Sequence, residues 1–166
     1  PVLYSHAGAR HFSPMERNLG DDLAARIAGA GGLVGVTLFD GFLSGVPEDS
    51  RLPDHVPGTC DDVVAHWLHF AKVAGPENVT LGSDWNGFVS RPLAGGRCAD
   101  GLRNTSDLPA LYEALTGAGV PQAALDGSGE RLLRLMEMVE AKASPAARAE
   151  AERRTIPAFS VFDVPL

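Results

Sequence analysis

The sequence has little of several features that would place it quickly in a class of protein. It contains 2 cysteines, Cys60 and Cys98, without CxxC spacing, so neither a disulfide framework nor a zinc knuckle is expected. No apolar run approaches the roughly 18 residues of a membrane span, and no basic segment precedes an apolar one as in a signal peptide. Basic side chains number 14 against 21 acidic ones, and the resulting net charge of −7 argues against nucleic-acid binding.

What the sequence does contain is typical of a soluble globular protein. Hydrophobic residues make up 45% and charged residues 21% of the 166 positions, which excludes a disordered chain. This length predicts one domain with a sizeable core. The 19 glycines indicate many tight turns. The first residue is Pro1 and not methionine, and it opens what reads as a strand, so we also expect a piece of something larger.

Short apolar segments alternate with amphipathic ones along the chain. Strands are predicted at residues 2–6, 33–39 and 78–84, the second as a nearly continuous apolar run that indicates burial on both faces. Helices are predicted at 21–30, 60–74, 121–126, 129–142 and 145–154, and a further one begins after Ser106. Thr59 is the expected N-cap and Gly75 the expected C′ residue of the second helix, and Ser106 is the expected N-cap of the third. Loops are predicted at 40–58 and 86–104. The order predicts βαβ units and a parallel sheet, which is an α/β fold.

Polar side chains stand where each predicted strand ends, and parallel strands carry their chemistry there. His6 follows the first strand; a lone histidine in such a place is more often structural than functional. Asp84 closes the third strand, where a carboxylate is costly unless it is paired, metal-bound or proton-transferring, so function is favoured. Asp40, after the second strand, is interpreted as a solvated loop carboxylate.

Four further side chains are ambiguous from their residue type and spacing. Arg17 suits bidentate recognition of a substrate carboxylate, although a surface arginine paired to Asp21 or Asp22 is the more common arrangement. His66 and His69 lie three apart on a predicted helix, but a zinc site there would lack its remaining ligands, so both are interpreted as structural. Cys60 has no partner base in the sequence and is interpreted as an unreactive thiol.

Several segments, taken together and in order, resemble the membrane (renal) dipeptidase family of metallopeptidases. The most specific is residues 78–87, N-V-T-L-G-S-D-W-N-G, which resembles the family's H-V-G-I-G-S-D-F-D-G. Three further segments resemble family patterns: Ser5-His6 resembles S-H-S, Arg17-Asn18 with Asp21-Asp22 resembles R-N-x-x-D-D, and Leu132-Leu133-Arg134 resembles N-x-L-R-V. Two more segments match in the family's order, Gly31-Gly32-Leu33-Val34 and residues 66–75 (H-W-L-H-F-A-K-V-A-G). The resemblance runs from residue 1 to about 142, with departures at Ala7, Asn86 and Arg131.

The resemblance implies a (β/α)8 barrel hydrolase of the TIM type that cleaves dipeptides with two zinc ions. Residues 1–142 would be its C-terminal half, about strands 6 to 8 with their helices, and residues 143–166 a C-terminal helix and apolar tail. By matching positions, His6 would bind one zinc, Arg17 would hold the terminal carboxylate of the substrate, and Asp84 would be the acid/base beside the bridging water. Asn86 stands where the family has an aspartate near the mouth of the site, and we assign it to substrate binding.

Three interpretations follow from the same residues. The first is a zinc dipeptidase that needs an N-terminal barrel half, because the family's other metal ligands lie on earlier strands and a whole barrel takes on the order of 250 residues. The second is another amidohydrolase-type metal-dependent enzyme acting on an amide or lactone. The third is a catalytically silent fragment or binding scaffold with an open sheet edge. We expect a cytoplasmic or soluble bacterial protein. Its apolar tail is expected to pack against its own body or a neighbouring subunit, which is compatible with a homodimer.

Overall fold

The computed structural model describes residues 1–44, 58–85 and 101–153, and within them the chain forms an α/β fold. Strands β1 (Leu3–Ala7), β2 (Leu33–Thr37) and β3 (Val79–Gly82) form a parallel sheet in that order. The helices are α1 (Asp21–Gly29), α2 (Asp40–Leu43), α3 (Cys60–Ala74), α4 (Leu108–Gly117), α5 (Gln122–Asp126), α6 (Ser128–Lys142) and α7 (Pro145–Arg153). The expected α/β class with a parallel sheet is confirmed, as is the predicted order of its strands and longer helices.

The core forms around β2, whose five residues are all buried. This strand lies between β1 and β3, and helices α1 and α3 pack against it. Helix α3 contributes the largest fully buried side chains, Trp67 and Phe70, and α4 adds Leu111 and Leu115. The apolar run of β2 therefore reflects burial, as the sequence predicts.

Helix α3 begins and ends where the sequence predicts. The Thr59 side chain accepts a hydrogen bond from the Asp62 backbone N–H, and the Asp62 carboxylate accepts one from the Thr59 N–H in return. This capping box satisfies two N–H groups that have no partner within the helix. At the other end Gly75 has φ of +88°, a conformation that side chains with a Cβ rarely adopt.

Two predicted features differ in the structure. Ser106 is not the N-cap of α4: a 3₁₀ turn (Thr105–Asp107) precedes this helix, and the Asn104 side chain accepts from the Ser106 N–H at 2.9 Å. Asp40 is not a solvated loop carboxylate, because it is fully buried and begins the short helix α2. The Ser106 prediction was wrong because a local capping box between Asn104 and Asp107 starts a 3₁₀ turn first. The Asp40 prediction was wrong because α2 packs against α3, which lies much further along the chain.

Arg131, one of the departures from the family pattern, ties the C-terminal helices to the sheet. Its guanidinium donates to the carbonyl of Val79 at the start of β3 and to the carbonyl of Ala124 in α5. Burial lowers the pKa of this arginine, while Glu77 opposes that shift. Arg131 thus fixes α5 and α6 beneath the beginning of β3.

Some predictions fall on residues outside the described part of the chain. These are Asn86 and most of the glycine-rich loop, Cys98, and the apolar tail after Arg153. Within the described part, no helix combines the length and the hydropathy that crossing a membrane requires.

Candidate functional site at the carboxyl edge of the sheet

The carboxyl end of β1 contains a register shift that presents His6. Tyr4 pairs with Val34 and Ala7 pairs with Val36, so Ser5 and His6 together face the single residue Gly35 of β2. An extra residue of this kind interrupts the alternation of side chains along a strand and redirects one of them. The shift therefore sets the direction of the His6 side chain independently of the regular pleat.

Glycines at two positions leave space for the shifted segment of β1. A Cβ built on Gly35 or on Gly82 would fall onto the carbonyl oxygen of Ser5. A Cβ on Gly82 would also lie 3.1 Å from the His6 Cα. The end of β3 is thus in close contact with the end of β1, and Asp84 follows only two residues after this contact.

The imidazole of His6 is half-buried and engaged through one nitrogen. Its Nδ1 lies 2.8 Å from the Ser5 hydroxyl. Across the described ranges, Nε2 of His6 makes no hydrogen bond. Metal-binding histidines commonly have one ring nitrogen on the metal and the other in a hydrogen bond that fixes the ring. His6 therefore fits a metal ligand through Nε2.

The remaining ligands of a metal centre are not found in the described part of the chain. No group of three or more histidine, cysteine, aspartate or glutamate side chains is arranged there to hold an ion. A catalytic zinc usually takes about three protein ligands. His6 can contribute one of them, and a complete site needs ligands from elsewhere.

Arg17 reaches back to the same strand end. Its Nη2 donates to the His6 carbonyl at 3.0 Å, and its Cζ lies 3.8 Å from the centroid of the Phe42 ring. The Tyr4 hydroxyl donates to the Arg17 carbonyl at 2.8 Å, which fixes the backbone of the loop. Among the described ion pairs none joins Arg17 to Asp21, whose carboxylate instead accepts from His69 Nε2 at 2.7 Å.

Asn18 is buried and holds this loop together, a role that the sequence analysis did not predict for it. Its side-chain oxygen accepts from the Gly8 N–H at 3.1 Å. Its amide nitrogen donates to the carbonyl of Ser13 at 2.9 Å and to that of Phe42 at 2.8 Å. The loop after β1 and helix α2 after β2 are joined by this one side chain. Its place beside Arg17 in the R-N pair was the available signal.

His66 makes a second connection between the same two regions. Its Nδ1 accepts from the Ala9 N–H at 2.7 Å, and its Nε2 donates to the Leu43 carbonyl at 3.1 Å. Burial lowers the pKa of His66, while the Leu43 carbonyl and Asp62 oppose the shift. Because both ring nitrogens are hydrogen-bonded, the structural interpretation of His66 is confirmed over the zinc interpretation.

Asp84 and Cys60 complete the set of chemically interesting side chains. Asp84 is half-buried and has φ of +57°, in the left-handed region that aspartate tolerates better than most residues. Such backbone conformations cluster at functional sites.

Burial, and next the charge of Asp61, raises the pKa of the Cys60 thiol, which agrees with an unreactive side chain.

The parallel sheet carries an imidazole, a guanidinium and a carboxylate at its carboxyl edge. These features define the class of protein: α/β proteins with a site where their strands end. Within that class, the chain belongs to the membrane dipeptidase family, peptidase family M19, whose model matches residues 1–150.

Curated relatives and solved structures agree with this assignment. The chain is 37% identical over 111 residues to an uncharacterised dipeptidase, C965.12, of Schizosaccharomyces pombe, covering 67% of this chain and 23% of that protein. It is 30% identical over 156 residues to the dipeptidase ataJ of Aspergillus terreus, covering 93% and 34%. A metallopeptidase from Rhodobacter sphaeroides, bound to a phosphinate mimic of L-Ala-D-Ala, superposes with a TM-score of 0.64 at 25% identity, covering 82% and 36%. The chain thus spans between 23% and 34% of the length of these two curated relatives.

Proposed function

We propose that this chain supplies part of a zinc-dependent dipeptidase, namely about strands 6 to 8 of a (β/α)8 barrel in residues 1–142, followed by a C-terminal segment in 143–166. The observation that carries the proposal is the juxtaposition of His6 and Arg17 at one strand end, joined through the His6 carbonyl. Membership of the dipeptidase family supports the reaction class. The other barrel half would come from sequence beyond these residues.

His6 would be one protein ligand of a site for two zinc ions. Its Ser5 contact holds the ring and leaves Nε2 for a metal. Metal ions at such sites lower the pKa of bound water and polarise the scissile carbonyl. The remaining ligands would lie in the other half of the barrel.

Arg17 and Asp84 would act on the dipeptide from the same edge. The exposed guanidinium of Arg17 suits the C-terminal carboxylate, since arginine pairs with carboxylates through two parallel N–H donors. Asp84 would accept a proton from the attacking water and pass it to the leaving amine, which is general acid–base catalysis. Asn86, two residues further along, would contact the substrate at the mouth of the site.

The test uses the intact protein that contains this chain, assayed for zinc content and for hydrolysis of a panel of dipeptides, simple amides and lactones. Asp84→Asn is expected to lower kcat by about 10²–10⁴, the usual contribution of a positioned acid or base, with zinc content retained. His6→Ala is expected to lower zinc content as well as activity.

Asp22→Asn is the matched control, because Asp22 is an exposed aspartate in the first turn of α1. It should leave kcat unchanged. Wild-type turnover in the Asp84 variant would contradict the acid/base role. Hydrolysis of lactones or simple amides without dipeptides would replace the dipeptidase proposal by the broader amidohydrolase one.

A further inference from the structure

We propose that Phe42 is a positioning residue that determines the preference of this site for a free carboxylate, because it holds the plane of the Arg17 guanidinium. The inference rests on the proposed function, in which Arg17 binds the C-terminal carboxylate of the substrate. Neither the family match nor the sequence assigns any role to Phe42, which lies in a segment that the sequence predicts as loop.

Two contacts define the position of the Arg17 side chain. Its Cζ lies 3.8 Å from the centroid of the Phe42 ring, and its Nη2 donates to the His6 carbonyl at 3.0 Å. Arg17 is otherwise exposed, and an exposed arginine without such contacts samples many rotamers, which costs free energy when it binds a ligand. The ring and the carbonyl together fix one plane before the substrate arrives.

Phe42 can act in this way because it is itself held in place. The Asn18 amide donates to the Phe42 carbonyl at 2.8 Å, and His66 Nε2 donates to the carbonyl of the next residue, Leu43, at 3.1 Å. The ring of Phe39 meets the Phe42 ring edge-on at 4.5 Å between centroids. Helix α2 has only four residues, so these contacts, more than its own helical bonds, fix the aromatic ring.

The ring also restricts where an anion can bind. An aromatic face carries negative electrostatic potential, which attracts the guanidinium and repels a carboxylate. A substrate carboxylate that pairs with two N–H donors of Arg17 must therefore lie in the guanidinium plane, at an edge, and not over the face that Phe42 covers. A C-terminal amide has no negative charge and no second acceptor oxygen, so it cannot pair with the fixed guanidinium as a carboxylate does. The site should therefore bind a free carboxylate in preference to an amide.

The experiment compares the intact enzyme with Phe42→Leu, Phe42→Tyr and Phe12→Leu, using one dipeptide and its C-terminal amide. Phe42→Leu removes the aromatic face, and is expected to raise KM for the dipeptide about two- to fivefold with kcat little changed. The ratio of kcat/KM between dipeptide and amide should fall by the same factor. Phe42→Tyr keeps the ring and should keep the ratio.

Phe12→Leu is the matched control, because Phe12 is an exposed aromatic residue of the loop that also carries Arg17. Its ring contacts are with His11, His66 and His69. An unchanged ratio in Phe42→Leu, or an equal fall in Phe12→Leu, would overturn the inference. In wild-type protein, the NMR signals of the Arg17 side-chain protons should also show an upfield ring-current shift, and its absence would overturn the inference even if Phe42→Leu does not fold. Wild-type protein that cleaves no dipeptide would instead refute the proposed function.

Discussion

Two buried polar side chains, Asn18 and His66, hold the loops of the candidate site where no regular secondary structure does. Each bonds to backbone groups in the loop after β1 and in helix α2. A buried backbone group without a partner costs about 1–3 kcal/mol. These side chains therefore stabilise the loop geometry by satisfying groups that would otherwise lose their hydrogen bonds to water.

Protonation of His66 should destabilise the fold. Burial keeps its folded-state pKa below the ordinary value of about 6.5, so the unfolded chain binds the proton more readily. The contribution of His66 to stability is then complete above pH ~6.5 and is lost as the pH falls through the folded-state pKa. We expect the melting temperature of wild type to fall as the pH is lowered below ~6.5.

His66→Gln tests this directly, because glutamine offers one acceptor and one donor and does not titrate. Its melting temperature should fall less steeply over the same pH range in thermal unfolding followed by circular dichroism. His11→Gln, an exposed histidine, serves as the control and should keep the wild-type slope. Parallel curves for wild type and His66→Gln would contradict this explanation.

At the scale of residues, the sequence predicts single positions better than their partners. His6 and Arg17 were both predicted as site residues, and the hydrogen bond from Arg17 to the His6 carbonyl brings them together. The pairing of Asp21 with His69 was not predicted, since His69 lies 48 positions further along the chain. Phe42 and Asn18 were missed for the same reason: their contacts join loops that only the folded sheet brings together.

At the scale of elements, the contact of β1 with β3 depends on glycine at two positions. A Cβ on Gly35 would fall onto the Ser5 carbonyl oxygen, which is backbone and has little freedom to move. We expect Gly35→Ala to reduce the free energy of unfolding by about 3 kcal/mol, the upper range for overpacking, and to displace His6. Chemical denaturation measures the first effect, and under the proposed function the zinc content of the intact protein measures the second.

Gly29→Ala is the matched control for this prediction. Gly29 lies at the end of α1 with no atom within 4 Å of a built Cβ. Alanine is about 0.5–1 kcal/mol better than glycine inside a helix, so this variant should be neutral or slightly more stable. Equal stability of the two variants would contradict the close approach at Gly35.

The elements themselves are well encoded where local signals suffice. The capping box of Thr59 and the terminating Gly75 fix α3 from adjacent residues, and the apolar run of β2 identifies a buried strand. The register shift at Ser5 and His6 is not readable in the sequence, because it depends on glycines in two other strands. Helix α2 was missed because its stability comes from Asn18 and His66 and not from its own composition.

At the scale of the whole molecule, apolar surface remains exposed. In the described part, β1 and β3 pair only with β2, so both outer strands have open edges. Helix α6 exposes a set of large apolar side chains: Leu132, Leu133, Met136, Met138 and Val139. Contiguous exposed apolar surface usually marks a place where other protein packs.

We therefore expect the 166-residue chain, prepared alone, to self-associate at micromolar concentration. Leu133→Gln with Met136→Gln, at positions 61% and 58% exposed, should shift sedimentation velocity profiles toward monomer, because less apolar area is available for burial. Glu137→Gln, an exposed polar position of the same helix, should not. Unchanged profiles in the double variant would show that α6 is not the associating surface.

The Ala9–His66 hydrogen bond has a consequence for the order of folding. It spans 57 positions, and contacts between residues far apart in sequence form late because a long segment must first be ordered. The loop that carries Arg17 receives this bond only after α3 has been synthesised and has docked on the sheet. A nascent chain with β1 and β2 already paired would hence be compact while Arg17 is still unplaced.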